Sequence, residues 1–189
     1  RAVVVNSGCA NACTGASGLA HARRMAADTA AALGCSPDEV LVASTGVIGV
    51  GLPIEKVSAG IRSAVSRLSR RTGSDMARAI MTTDPFPKEH AVSVRSSAGT
   101  FLVGGTAKGT GMIEPNMATM IGFLTTDAVV PPGLLLRALR ESAVSVGLAI
   151  ALALGASAIG VGGLGLIAWG IFESLRSAMN VIGAAFFSG

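Results

Sequence analysis

The residues best suited to covalent chemistry lie in Lys108-Gly-Thr-Gly-Met-Ile-Glu-Pro-Asn-Met-Ala-Thr-Met120, which runs on to Thr125-Thr126-Asp127. A small residue, Ala118, directly precedes Thr119. A glycine-rich, proline-broken stretch lies ahead of the pair, and an apolar run, Met120-Ile-Gly-Phe-Leu124, lies behind it. A self-cleaving threonine enzyme needs this layout. The loop lets the backbone bend until Thr119 Oγ reaches the Ala118 carbonyl, and cleavage there frees an amine on the residue that carries the hydroxyl. With an ordinary pKa of about 7.7–8.0, that amine can serve as base for its own nucleophile near neutral pH.

Three further groups could complete such a site. Thr45 and Gly46 follow an apolar run, Val40-Leu-Val-Ala43, and read as a glycine-bearing turn. A turn of this kind presents a backbone N–H and a hydroxyl into one space, as an oxyanion hole requires, although an ordinary strand-ending turn would look the same. Lys108 stands among four glycines in Gly104-Gly-Thr-Ala-Lys-Gly-Thr-Gly111, so it could approach an anion closely; a solvated loop lysine is the alternative. The stretch does not satisfy Gly-x-x-x-x-Gly-Lys-Ser/Thr and is not a phosphate loop. Thr82 and Thr83, before Asp84, read as the end of a helix, where a capping role for the next turn is open to them. Asn6, Asn11 and Thr14 read as loop-bracing residues without chemistry.

These groups must be carried by regular elements, and the hydrophobic spacing supplies them. Ala2-Val-Val-Val5 and Val40–Ala43 are short apolar runs, the mark of buried strands. Leu19, Ala22, Met25, Ala26, Thr29 and Leu33 recur at helical spacing, with Gly34 as the stop. Pro53 suits a helix first position, ahead of Ile54, Val57, Ile61, Val65 and Leu68 on one face. Ser74–Met81 reads as a short helix capped by Ser74. His90–Arg95 and Gly99–Gly105 form a hairpin, the 120s form a strand, and Pro131-Pro132 opens a last helix. The expected class is α/β (α+β).

At 189 residues the chain is long enough to bury a core. Fifteen Lys and Arg against eleven Asp and Glu give +4, spread thinly, and the chain has no tyrosine and one tryptophan. No stacking platform accompanies the basic residues, which excludes nucleic-acid binding. Cys9, Cys13 and Cys35 form no regular disulfide framework and no zinc spacing, so no metal is expected and a reducing, cytoplasmic setting fits. Residues 1–15 read as a strand and turn, not as a signal peptide.

From Ser142 to Phe172 there are 31 positions without a charge. As a helix they would extend about 46 Å, beyond the ~20 residues needed to span a bilayer. Ala151-x-x-x-Gly155 and Ala156-x-x-x-Gly160 are spacings that allow close helix packing. The chain therefore divides into a core, residues 1–141, and an apolar helical tail, residues 142–189, with membrane association expected through 142–172. Gly160-Val-Gly-Gly-Leu-Gly165 satisfies a dinucleotide fingerprint but has no strand-to-helix boundary around it, and reads as helix packing. The tail faintly resembles the first hairpin of an ATP synthase proteolipid subunit, without its ion-binding carboxylate.

Four blocks together carry a stronger resemblance: Val4-Val-Asn-Ser-Gly-Cys-Ala-Asn-Ala-Cys-Thr-Gly15, Ala43-Ser-Thr-Gly-Val-Ile-Gly49, Ala79-Ile-Met-Thr-Thr-Asp-Pro85 and Lys108–Met120. In content and order they resemble the bifunctional ornithine acetyltransferases, or glutamate N-acetyltransferases, of arginine biosynthesis, over Arg1 to about Glu141. The resemblance implies a layered sandwich of helices over two packed sheets, self-cleaved between Ala118 and Thr119. It implies acetyl transfer from N-acetylornithine to glutamate through an acetyl-Thr119 intermediate. Thr45 and Gly46 would stabilise the oxyanion, and Thr82 and Lys108 would bind substrate. No cofactor is implied; acetyl-CoA stands as a further acetyl donor to weigh. The two cleaved chains would form a heterotetramer in the family manner. Family substrate residues downstream of the nucleophile find no match in the tail, so this stretch alone is expected to be an incomplete, inactive form. The rival expectation is a non-enzymatic membrane-associated protein whose C-terminal helix packs into a bundle or proteolipid-like ring.

Overall fold

The computed structural model describes residues 1–96, 99–109 and 121–140 of the chain, in two compact units, Arg1–Thr82 and a second that begins at Thr83. Ala118, Thr119 and the expected apolar tail at 142–189 lie outside the described residues. Among the described residues, no helix is long and apolar enough to cross a membrane.

In the first unit, strand β1 (Ala2–Cys9) runs parallel to β2 (Val40–Val47), and helix α1 (Gly15–Leu33) connects them. Parallel neighbours need such a crossover, because a tight turn cannot reverse the chain twice. The register sets Ala2 opposite Val40 and Gly8 opposite Gly46. Gly34 ends α1 in the left-handed conformation, φ 69°, and its N–H bonds the Ala30 carbonyl, as the sequence led one to expect. Ser36 and Glu39 then form a capping box around a single 3₁₀ turn, Pro37–Glu39, that feeds β2. Helices α2 (Ile54–Val65) and α3 (Gly73–Ala79) complete the unit.

The core of this unit gathers Cys9, Met25, Leu52 and Ile61, with Val4, Val42, Ile54, Val57 and Val65 packed against them. Met25 is fully buried. Its truncation to alanine should lower unfolding free energy by about 2–5 kcal/mol, read as a lower midpoint in urea denaturation. Arg24 on α1 spans to Glu55 on α2 with two bonds, 2.6 and 3.0 Å. The hydrogen bond first, and then the Glu55 charge, hold the Arg24 guanidinium above its ordinary range.

Several boundaries differ from expectation. Both strands run four residues further than their apolar runs, because the ladder continues through the polar and glycine positions Asn6–Gly8 and Ser44–Gly46. The strands are not buried throughout: Val3 and Leu41 face outward, half to two-thirds exposed, while Val4 and Val42 face the helices. On α1 the buried positions are Gly18, Met25, Thr29 and Ala30, so the stripe is rotated and Leu19 and Leu33 point out. Pro53 is the N-cap of α2, since its carbonyl accepts from Lys56 and Val57 while its own ψ of 75° is not helical. Thr72, not Ser74, caps α3, whose first turn bonds back to the Thr72 carbonyl.

In the second unit, β3 (Lys88–Ser96), β4 (Gly99–Lys108) and β5 (Ile121–Thr126) form an antiparallel meander in the order β3-β4-β5. Val92 sits opposite Val103 and Val94 opposite Phe101. These side chains meet Ala138 and Leu134 of a helix at 132–140 to form the second core. The helix opens on the Pro131 carbonyl, which accepts from Leu134 and Leu135 at 3.0 Å each. Among the described residues the chain is thus mixed α/β with two sheets, one parallel and one antiparallel.

Candidate functional site

The carboxyl ends of β1 and β2 approach each other closely. Open parallel sheets bind their ligands beyond this end of the strands. Thr45 and Gly46 do not lie in a turn after β2, as their glycine suggested; they belong to its last hydrogen-bonded stretch, opposite Ser7 and Gly8. Thr45 is 2% exposed. Gly46 has φ +133°, and a Cβ there would stand 2.2 Å from the Gly8 carbonyl carbon and 2.6 Å from the Cys9 nitrogen. Only glycine fits, because the neighbouring backbone occupies the space. A register irregularity at Cys9, which pairs with both Thr45 and Val47, lets the chain leave the ladder here.

The loop after β1 is held by its own polar side chains. Asn6 Nδ2 donates to the Cys9 carbonyl at 2.8 Å, Asn11 Nδ2 to the Gly18 carbonyl at 2.9 Å, and Thr14 Oγ1 to Asn11. Asn11 and Cys13 adopt positive φ, 49° and 58°. The bracing role expected of Asn6, Asn11 and Thr14 is the one observed. Two backbone bonds, Ala10 N–H to Val47 O and Gly49 N–H to Ala12 O, both 2.9 Å, then tie this loop to the end of β2.

Thr82 does not end a helix, because α3 stops at Ala79 and Ile80 is its C-cap. The chain nevertheless passes close to this end of the sheet just before it. Ser7, the register partner of Thr45, donates from Oγ to the Ala79 carbonyl at 2.6 Å, and Thr82 follows three residues later. Three residues span at most about 11 Å. Thr82 is exposed.

Lys108 belongs to the second unit, and its surroundings were not foreseen. It is the last residue of β4 and is 3% exposed, not a solvated loop lysine. Its Nζ lies 3.7 Å from Asp84 Oδ2. Asp84 Oδ1 accepts from Lys88 Nζ at 2.6 Å and from the Gly109 N–H at 2.7 Å. Lys88 Nζ also lies 5.2 Å from the centroid of the Phe86 ring, a cation–π contact. All three charged side chains are at most 4% exposed. Buried charges survive only when paired and hydrogen-bonded, and here one carboxylate meets two ammonium groups and a backbone donor.

Asp84 and Lys88 escaped sequence reasoning. Their spacing of four suggests a helical pair, but Pro85 and Pro87 stand between them and forbid a helix. The one available signal was two charges flanking two prolines, which does not say that they fold inward. The described candidates thus fall apart into Thr45 and Gly46 at one end of the β1–β2 pair, Thr82 three residues beyond the Ala79 carbonyl that Ser7 holds, and Lys108 with Asp84 and Lys88 in the second unit.

Known proteins resemble this chain closely over its first three-quarters. The family model described as "ArgJ family" matches residues 1–146. The arginine biosynthesis bifunctional protein ArgJ of Symbiobacterium thermophilum is 56% identical over 142 residues, which cover 75% of this chain and 35% of that protein. Its counterpart in Dehalococcoides mccartyi is 54% identical over 143 residues, covering 76% and 35%. The chain therefore spans about a third of the length of the curated relatives it matches. Among solved structures, ornithine acetyltransferase of Mycobacterium tuberculosis, in complex with ornithine, aligns with TM-score 0.54 at 41% identity, over 61% of this chain and 62% of that one. The argJ protein of Bacillus halodurans aligns with TM-score 0.55 at 42% identity, over 61% of each.

Proposed function

This chain belongs to the ArgJ family, and on that premise we propose that it carries the nucleophile-bearing part of an enzyme of arginine biosynthesis. That enzyme moves an acetyl group from N-acetylornithine to glutamate. The observation that supports the reading is the pairing of β4 with β5. Lys108 and Ile121 are register partners, and Thr119 precedes Ile121 by two residues, so at most about 7 Å of chain separates it from a position opposite Lys108. A substrate whose carboxylate rests on Lys108 would then have its acetyl group within reach of Thr119.

In this reading Thr119 Oγ first attacks the Ala118 carbonyl, and water hydrolyses the resulting ester, leaving Thr119 with a free amine. That amine takes the hydroxyl proton as Oγ attacks the acetyl carbonyl of N-acetylornithine. The C–N bond breaks, ornithine leaves with the proton, and the acetyl group remains on Thr119 as an ester. The glutamate amine attacks that ester, Oγ regains a proton, and N-acetylglutamate departs. Thr45 and the Gly46 N–H stabilise the tetrahedral oxyanion in both halves, and Thr82 contacts the substrate. The layered sandwich, the assembly of cleaved chains into a heterotetramer, and a cytoplasmic setting belong to the same reading. So does the division of the chain at residue 141.

Steady-state kinetics on the complete gene product test it. With both substrates varied, double-reciprocal plots should be parallel, the sign of a covalent half-reaction; intersecting lines would count against acetyl-Thr119. A second reading concerns the tail alone. The uncharged run from Ser142 to Phe172 favours a helix that associates with membrane or packs into a bundle. Recovery of the chain wholly in the supernatant after membrane sedimentation excludes the membrane form.

A further inference from the structure

We propose that Ser7 is a positioning residue: its hydroxyl fixes the chain leaving α3 against the sheet face that carries Thr45, and so places Thr82 for the substrate and lowers KM. This role rests on Thr82 being a substrate contact.

Side chains alternate across a strand. Val4 and Val42 pack among the helices, so Ser7 and its register partner Thr45 stand on the opposite face. Ser7 is exposed, and an exposed hydroxyl ordinarily bonds water. Here Oγ donates instead to the Ala79 carbonyl at 2.6 Å, across 72 positions of sequence. That carbonyl belongs to the last turn of α3, where carbonyls have no acceptor role left within the helix. Ser7 stands one strand spacing, about 4.8 Å, from Thr45. The bond therefore sets the end of α3 on the face that carries Thr45. Ile80, the next residue, is buried, so two consecutive residues are held and Thr82 is the second one beyond them. A segment held this near has little freedom left to lose when substrate arrives, which preserves affinity. A surface hydroxyl bond adds modestly to stability. Its larger effect is geometric, because a contact misplaced by about 1 Å can cost about 10²-fold.

The test is Ser7→Ala in the complete gene product, with KM and kcat read separately. Ser7 is exposed, so alanine removes one hydroxyl and opens no cavity, and the variant should fold. KM for N-acetylornithine should rise about tenfold while kcat changes less than about twofold, the pattern of lost binding common to ground and transition states. Ser7→Thr keeps the hydroxyl and should restore the wild-type KM. Thr82→Val should raise KM as well, and Ser7→Ala added to it should raise KM no further, because Ser7 acts through Thr82. Three results would each overturn the proposal: an unchanged KM in Ser7→Ala, additive losses in the Thr82→Val background, or a fall in kcat at constant KM. The last would route the effect through Thr45. A wild-type KM in Thr82→Val would instead remove the contact on which the role rests. A wild-type protein without acetyl transfer would remove the underlying function, and this role with it.

Discussion

Thr119→Ala should leave the protein as one intact chain, where the wild type yields two pieces with a new N-terminus at Thr119. The change removes the hydroxyl proposed to attack the Ala118 carbonyl and alters no other residue. In the proposed reaction the same hydroxyl carries the acetyl group, so activity should fall by about 10⁴-fold or more, the scale seen when an enzyme loses its nucleophile. Two readouts therefore move together for one reason. N-terminal sequencing of the separated products reads the first, and acetyl transfer from N-acetylornithine to glutamate reads the second. Thr119→Ser retains a hydroxyl and should still cleave. Cleavage of the Thr119→Ala chain at the normal place would show that another group attacks, and the nucleophile assignment would fall.

Gly46→Ala should combine the largest stability loss with a large activity loss. The added Cβ would meet three backbone atoms of Gly8 and Cys9 between 2.2 and 2.6 Å. Backbone cannot rotate away as a side chain can, so β1 and β2 must part where they are most tightly joined. Holding alanine at φ +133° adds about 1–3 kcal/mol of strain, and forced overpacking about as much again. For a domain of this size, about 2–6 kcal/mol corresponds to a melting point lower by roughly 10 °C or more. Misplacing the Gly46 N–H should also cost about 10²–10³ in kcat. Gly8→Ala is the internal control. Gly8 has φ +102°, but its Cβ would meet nothing within 4 Å, so only the strain remains and the loss should be smaller. Equal melting points for the two variants would show that close approach of the strands is not what requires glycine at 46.

Much of this protein was legible from residue order. A strand run such as Val3–Val5, a helical repeat through Met25 and Thr29, and a stop at Gly34 are local patterns, and local patterns survive translation into structure because backbone periodicity creates them. The hairpin of β3 and β4 and the helix after Pro131 were readable for the same reason. The four motif blocks, in order, likewise point to the family from the sequence alone.

Other features depended on which elements meet. Thr45 and Gly46 looked like a turn because Ser-Thr-Gly is turn-like in isolation; pairing with Ser7 and Gly8 keeps them in the ladder. The outward rotation of Leu19 and Leu33 on α1 was decided by α2, which packs along the face of Met25. Lys108 among its glycines read as an anion contact with a solvated loop lysine as the alternative, and nothing in the order of residues marked Asp84 as buried. Charge carries no periodicity, and whether it is exposed or buried depends on partners distant in the chain. Asp84 and Lys108 are 24 positions apart in the sequence, and only the return of β4 alongside β3 brings them within 3.7 Å. Local spacing thus specified the elements and the family, while the pairing of distant segments decided which charges would be dry, because burial depends on partners that sequence order does not reveal.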